Sequence, residues 1–406
     1  MRPRAAVFSV GNEVLKGSVV NSNAAFLGRE LTAAGFEVIA HAVCTDSEES
    51  IRFQLGDLTR RADLIVMCGG LGPTPDDVTR EGIAAFFNVP LVFFKDQFAR
   101  IVKLYRRFGK SVPPLVRREA LYPANAKPLV NRFGVALGFA VEQSGKVLVA
   151  LPGVPAELEN MYADVVLPFL KKRFPAAAPS RRLVVRMTGI SEPDVMERLG
   201  KGLFEDPFDF GIYPSAGEVV LRIYSESPGV HARLKKRIGA RLRDFIYSWE
   251  ERPLGFVIGE LLRKKKRTLA VAESCTGGLL AAEIVSQPGS SRFFRGGTIA
   301  YHHEIKEKLG VDPALITRHG EVSAAVAGAL ASSVKDRMKT SYGLGITGIA
   351  GPSGGTPKKP VGLVYIGLAG PSGRVNVWQH HFGGDRDQVC RRTVVKALEY
   401  LWRAVR

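Results

Sequence analysis

The sequence predicts an α/β protein in which largely parallel sheets are covered by helices, arranged as two or three domains over 406 residues. Three observations carry this. Short and almost wholly apolar runs such as Asp63 to Cys68 recur, as strands buried on both faces require. They alternate with stretches of helical period behind capping residues, a βαβαβ rhythm. The turns that leave two of these strands hold clustered glycines, carboxylates and hydroxyls, and open parallel sheets bind ligands at the carboxyl ends of their strands.

Composition narrows the class. Apolar residues make up 46% and charged residues 24%, as in ordinary soluble globular proteins. No run approaches 18 uninterrupted apolar residues, so no membrane span is expected. Met1-Arg2-Pro3-Arg4 leads straight into the strand-like Ala5 to Val10, so no signal peptide is expected either. Cys44, Cys68, Cys275 and Cys390 are scattered, which suits reduced thiols in a cytoplasmic protein with neither a disulfide framework nor a zinc site. The net charge of +18 invites a nucleic-acid partner. Its basic residues, however, are spread over helix faces (Arg100, Lys103, Arg106, Arg107; Lys235, Lys236, Arg237, Arg241, Arg243) and one short loop, without a tail or a basic run interleaved with aromatics. A solvated surface, or a general attraction for anionic nucleotides, is expected instead.

In chain order, Val7 to Gly11 is a short strand and Ala24 to Ala34 a helix behind Asn and Ser cap candidates. Phe36 to Cys44 is a strand, and Asp46 caps the next helix, with Glu49 three residues on as in a capping box. Asp63 to Cys68 is a third strand, apolar enough to be central. It runs into Gly69-Gly70-Leu71-Gly72-Pro73-Thr74-Pro75-Asp76-Asp77-Val78-Thr79, after which a helix begins. Glycines let a backbone approach a phosphate, and adjacent carboxylates offer hard oxygen ligands to a divalent cation. Asp76 or Asp77 would equally serve as a helix N-cap. The first strand ends in Gly11-Asn12-Glu13-Val14-Leu15-Lys16-Gly17, which brings Glu13 to the same edge if the strands are neighbours.

Lys171 to Ser180, rich in Lys, Pro and Ala, reads as a boundary. Beyond it Arg182 to Met187 is a strand, Glu192 to Gly200 a helix, Gly217 to Ser225 an alternating strand and His231 to Tyr247 a long basic helix; Pro253 ends this small α+β unit. Thr268 to Ala272 is then apolar and β-prone, and Gly278 to Val285 is helical, so Glu273 to Gly277 forms a strand-to-helix turn. Such a turn aims N–H groups and a positive helix end at a phosphate or a developing oxyanion. Ser274, Cys275 and Thr276 put three potential nucleophiles there, and Gly277 and Gly278 carry no side chain to keep a ligand away. A capped helix with small residues for tight packing accounts for the same residues. Next come Gly297 to His302 as a strand, Glu304 to Leu309 as a helix, the Ala-rich helix Ser323 to Met338 and the strand Tyr342 to Thr347. A Gly-rich loop from Gly348 to Pro360, strands at Val361 to Leu368 and Val375 to Phe382, and a helix from Asp387 to Ala404 complete the chain.

A serine nucleophile needs a base. His302-His303 and His380-His381 fall at expected strand ends, where neighbours point to opposite faces, and neither pair has metal-ligand spacing. A desolvated lysine can lose its proton near neutral pH. Lys306, one step beyond the strand that holds Tyr301, faces back towards the same edge, though alone it would be an ordinary surface lysine. Cys275 is a rival nucleophile, because thiolates are intrinsically better.

Gly11 to Gly17, Asn21 to Asn23, the Gly69 to Thr79 loop and Leu151-Pro152-Gly153-Val154-Pro155-Ala156-Glu157 together resemble the N-terminal domain of the CinA proteins (competence/damage-inducible protein A). That domain is similar to the molybdopterin-binding fold, and in some members it hydrolyses ADP-ribose to AMP and ribose 5-phosphate with a divalent metal. The resemblance implies a doubly wound, molybdopterin-binding-like sheet over residues 1–170. Gly69, Gly70, Gly72 and Thr74 would be its phosphate cradle, and Asp76, Asp77, Glu13 and Glu157 would surround magnesium or a similar ion. Asn12 stands where members often carry Asp or Thr. Residues 171–253 match the family's KH-like middle domain. An RNA-clamping KH module needs a Gly-x-x-Gly loop between helices; this unit has none, so a spacer or dimerisation role and a homodimer are expected.

A second set of blocks resembles the CinA C-terminal domain over residues 254–406. It comprises Ala272 to Gly278, Pro288 to Ser291, Tyr301 with Lys306, Gly320 to Ser323, Thr347 to Pro352 with Gly354-Gly355, and Gly384-Asp385-Arg386. Members hydrolyse the carboxamide of nicotinamide mononucleotide to nicotinate mononucleotide and ammonia. The resemblance implies Ser274 as nucleophile, Lys306 as its base and Tyr301 as a helper in proton transfer, with no cofactor. It places backbone N–H groups of Cys275, Thr276, Gly277 and Gly278 around the oxyanion and Thr347, Gly348 and Gly351 along the nucleotide. Arg386 suits a phosphate, since its fork binds two oxygens at once. His303 stands where Asn is common and Glu321 where a small residue is common. Two other readings remain open: a binding or regulatory protein associated with DNA uptake or repair, and a molybdopterin-handling enzyme that uses only its N-terminal domain.

Overall fold

The computed structural model describes residues 2–107, 109–177, 181–203, 208–225 and 227–406. The chain divides into two compact units, Met1–Arg181 and Arg182–Arg406. The expected boundary stretch ends at this division, and its last three positions, 178–180, lie outside the described residues.

The first unit is built on a six-stranded sheet in the order Glu37–Cys44, Arg4–Val10, Leu64–Cys68, Lys146–Leu151, Gly138–Gln143, Ala126–Leu129. The first four strands are parallel to one another, and the remaining two pairings are antiparallel. Alternation along each strand sends Ala5, Val7, Leu64 and Val66 into one apolar cluster and Ala6, Phe8, Ile65 and Met67 into another. Both faces are therefore buried, as the continuous apolar runs require. Leu27 and Leu31 of the helix Ser22–Ala33 close one face; Ile51, Leu55 and Leu58 of the helix Glu48–Arg61 close the other. The cap of this second helix corrects the sequence expectation. Ser47, whose side chain accepts the Ser50 N–H, is the N-cap, and Asp46 is left free for other work.

In the second unit a four-stranded sheet, in the order Asp209–Ser215, Glu218–Ser225, Arg181–Thr188, Ile246–Ser248, is backed by the helices Glu192–Leu199 and Pro228–Leu242. The expected basic helix thus stops at Leu242, and the chain returns to the sheet at Ile246. A five-stranded sheet follows, in the order Phe294–Ile299, Leu269–Glu273, Tyr342–Gly348, Leu363–Ala369, Val375–His381. Its first three strands are parallel and the remaining pairings antiparallel. The Ala-rich helix Ala324–Arg337 lies against the central strand so closely that a Cβ at Gly343 or Gly345 would come within 3.0 Å of Ala331 backbone atoms. Small residues on both sides make that approach possible. The strand Phe294–Ile299 ends three residues earlier than expected, and a helix starts at His303. Among the described residues no helix is long and apolar enough to cross a membrane.

Candidate functional site

Ser274, Tyr301 and Thr347 lie at or just past the carboxyl ends of three neighbouring parallel strands. They open a pocket of about 450 Å³, also lined by Cys275, Lys306, Glu321, Gly348, Gly351, Lys359 and Arg386. Lys306 is only 1% exposed. Its Nζ donates at 2.8 Å to the Tyr301 carbonyl and at 2.8 Å to Glu321 Oε2. Among the described residues no hydrogen bond joins Lys306 to Ser274. Arg386 opens the helix Arg386–Val405 and donates to the Gly351 carbonyl at 2.9 Å and to the Tyr301 hydroxyl at 3.3 Å. Thr347 Oγ1 donates to the Glu321 carbonyl at 2.9 Å, tying the strand end to the segment that carries Glu321. Burial above all, then neighbouring Cys390, pushes the Cys275 thiol up to about 12. A thiol so held is no thiolate near neutral pH, which counts against Cys275 as the nucleophile.

The turn itself differs from an open cradle. Buried Glu273, at the strand end, accepts N–H bonds from Gly278 at 3.1 Å, Leu280 at 3.0 Å and Ala281 at 2.8 Å. A carboxylate so placed satisfies the orphan donors and the positive end of the helix Leu279–Val285, which the sequence pattern reserved for a ligand. The Gly277 N–H is taken by the Ser274 carbonyl at 3.1 Å. Both glycines hold positive φ, 59° and 104°, so backbone conformation is what requires them. Thr276, Gly277 and Gly278 do not line the pocket. Of the four amides expected around the oxyanion, that of Thr276 is without a partner among the described residues, and that of Cys275 lies against its own thiol.

In the first unit a pocket of about 420 Å³ lies at the carboxyl ends of the strands Arg4–Val10, Leu64–Cys68 and Lys146–Leu151. Glu13, Asp76, Asp77 and Glu157 line it together, and so do Asp46, expected only as a helix cap, and Glu119, which the sequence pattern did not single out. No lysine or arginine is among its lining residues. Asp46 Oδ2 accepts the Asn12 N–H at 2.7 Å. Burial first, and then the charges of Glu13, Asp76 and Asp77, nevertheless hold the Asp46 carboxyl above its ordinary range. Burial likewise pushes Glu119 up to about 7. Hard oxygens that repel one another fit a divalent cation. They form no closed cage: among the described residues, no three of these carboxylates bring ligand atoms within 4.8 Å of one another.

The glycines of the adjoining loop answer to the chain's own packing. A Cβ at Gly69 would come within 3.0 Å of the Val10 carbonyl, at Gly70 of Thr79 Oγ1 and at Gly72 of Asp77 Oδ2. Gly69, Gly70 and Gly72 still line the pocket, while Thr74 stands outside it and donates from N–H (2.9 Å) and Oγ1 (2.5 Å) to Asp77 Oδ2. Two arginines fix this loop. Buried Arg80 donates to the carbonyls of Leu71 and Gly72, and Arg118 to those of Thr74 and Asp77. Neither Asp76 nor Asp77 caps the next helix, Thr79–Phe87, whose N-cap position is Val78. Asp46 carries a sequence signal, since like Glu13 it lies within three residues of the end of a parallel strand; Glu119, in the short helical turn Pro114–Ala120, has no such signal.

Two family models match the chain, a "Probable molybdopterin binding domain" over residues 6–172 and the "CinA C-terminal domain" over residues 252–405. A relative in Moorella thermoacetica, named for competence-damage induction, is 40% identical over 99% of this chain and 98% of its own. A CinA-like protein of Dictyoglomus thermophilum is 37% identical over 99% of each chain. Among solved structures, the CinA protein of Thermoplasma acidophilum, described as of unknown function, aligns with a TM-score of 0.38 at 37% identity, over 42% of this chain and 97% of that one. Relatives matched nearly end to end at such identities place the chain: it belongs to the CinA family.

Proposed function

We propose that the protein is a pyridine-nucleotide hydrolase whose second unit converts nicotinamide mononucleotide to nicotinate mononucleotide and ammonia. The observation that carries this reading is the meeting of Ser274, Lys306, Tyr301 and Arg386 in one pocket at the strand ends. Ser274 Oγ attacks the carboxamide carbon, and its proton passes to Lys306 once Nζ has given a proton to Glu321, left it and the Tyr301 carbonyl, and turned its lone pair to the serine. The amide of Cys275, which lines the pocket, is the donor best placed for the developing oxyanion once it turns from its own thiol. The C–N bond breaks as the amide nitrogen takes up a proton from Lys306 or Tyr301 and departs as ammonia, leaving an acyl-serine. Water that loses its proton to the same base then cleaves the ester and releases the acid. Arg386 and Lys359 supply positive charge for the nucleotide's phosphate.

For the first unit the reading is a metal-dependent ADP-ribose pyrophosphatase. Glu13, Asp46, Asp76, Asp77, Glu119 and Glu157 are the residues that would hold the cation. Its charge would offset the repulsion between those carboxylates and a diphosphate. The amides of Gly70, Leu71 and Gly72, which have no partner among the described residues, are suited to phosphate oxygens. A molybdopterin-type ligand is the second reading, favoured by the family model over residues 6–172. Release of AMP from ADP-ribose separates the two.

The decisive assay is ammonia release from nicotinamide mononucleotide by the wild type, Ser274→Ala and Cys275→Ala, each with and without a chelator. Release that survives chelation and Cys275→Ala but is lost in Ser274→Ala is the expected result. A wild type that releases none would leave this pocket as a binding site without amidase chemistry.

A further inference from the structure

His302, His303 and Glu304 take no part in the chemistry above. Neighbours in a strand point to opposite faces, but here the strand has ended at Ile299 and the helix His303–Leu309 has begun. The two imidazoles therefore lie side by side, their ring centroids 4.1 Å apart. One ligand atom from each of His302, His303 and Glu304 falls within 4.8 Å of the others. A fourth donor arrives from a distant segment: Glu321 Oε1 stands 3.8 Å from His303 Nδ1. All these side chains are exposed or half-buried, so small rotations bring them onto a common ion. Two imidazoles and two carboxylates form a donor set that zinc-class metals take up in tetrahedral geometry, with bonds of about 2.0–2.2 Å. Magnesium keeps to oxygen ligands and is not suited to it.

We propose that His302, His303, Glu304 and Glu321 form a site for a zinc-class divalent metal beside the Ser274 pocket. The site is linked to that pocket by one carboxylate. Glu321 turns Oε1 to His303 and Oε2 to Lys306 Nζ, 2.8 Å away. A metal that draws Glu321 towards the histidines takes from Lys306 its only carboxylate partner among the described residues, and frees Nζ to turn towards Ser274. Metal binding itself is independent of the amidase reading; only the consequence for Lys306 rests on it.

The test is zinc binding to the full chain by competition with a chromogenic chelator, in excess magnesium so that the carboxylate pocket of the first unit is occupied. One equivalent is expected for the wild type, with affinity lowered about tenfold or more in His302→Asn, His303→Asn and Glu321→Gln. The paired variant Asp76→Asn/Asp77→Asn should bind as the wild type does. Melting curves without zinc show whether each variant is folded, and the visible spectrum of the wild type with cobalt reports tetrahedral coordination without any substitution. Absent binding, binding undiminished in His303→Asn, or binding lost in the Asp76/Asp77 pair overturns the site. Loss in the histidine variants but not in Glu321→Gln overturns the link to Lys306.

Discussion

The two pockets occupy the same place in their sheets and carry opposite charge. In the first unit six carboxylates face one space with no basic residue on its lining. In the second, Lys306, Lys359 and Arg386 share the lining with one carboxylate, Glu321. Parallel strands fix where a ligand can lie, because loops gather at their carboxyl ends. Side-chain charge then decides what must come with it. A phosphate would meet positive charge in the second pocket, whereas in the first it would need a cation beside it.

The largest effect that would break this contrast is at Ser274. Ser274→Ala should lower ammonia release by roughly 10³- to 10⁶-fold, since a missing nucleophile leaves only binding and oxyanion donors. A chelator should not abolish wild-type release; it should remove only the gain that a metal at the histidine site gives through Glu321. Residual activity within tenfold of wild type would remove the serine from the chemistry. In the first unit the dependence reverses: a chelator should abolish conversion of ADP-ribose, and Asp77→Asn or Asp46→Asn should reduce it by about 10²-fold or more. Ser47→Ala is the matched control. It removes the helix cap, costs about 1 kcal/mol of stability and leaves turnover unchanged. Should Asp46→Asn behave like Ser47→Ala, Asp46 belongs to the scaffold and not to the site.

That pair of neighbours also shows what was legible in the chain. The strand rhythm and the turn residues were readable because burial on two faces and tight turns each leave a local pattern, and Glu13, Asp76, Asp77 and Glu157 do share a pocket. Asp46 was misassigned because Asp followed by Glu49 mimics a capping box, while the serine one step on makes the bond. Glu119 became a site residue only through long-range packing, which no spacing encodes. Glu273 lay inside a recognised motif, but its bonds to amides five, seven and eight residues ahead depend on how sharply the chain turns. His302 and His303 escape the alternation that strand spacing implies because the strand ends at Ile299, three residues short of the expected His302.

Glu273 therefore provides a sharper test of the second pocket than its glycines do. Glu273→Gln keeps the shape and removes the charge from three N–H bonds, so a loss of about 1.5–3 kcal/mol is expected. For a unit of this size that is a fall in melting temperature of roughly 3–12 °C. Ammonia release should fall with it, since the same turn carries Ser274. An unchanged melting temperature would mean that the helix start does not depend on this carboxylate.

The smallest effect is expected at Cys275, and it separates a serine pocket from a thiolate one. Burial raises the thiol from its ordinary 9.0 to about 12. Near neutral pH the group is protonated in the folded and the unfolded chain alike, so it contributes no pH dependence there. As pH rises from 9.0 towards 12 the unfolded chain releases a proton that the folded chain retains, and stability declines across that window. Cys275→Ala should then flatten the alkaline fall in stability and leave ammonia release near neutral pH within about threefold of wild type. Iodoacetamide should label the native protein slowly, because all four cysteines are buried, and label the unfolded chain readily. Rapid native labelling of Cys275 that abolished turnover would give the pocket an accessible thiolate, and the contrast between an acidic pocket suited to a cation and a serine pocket whose chemistry needs none would have to be drawn again around sulfur.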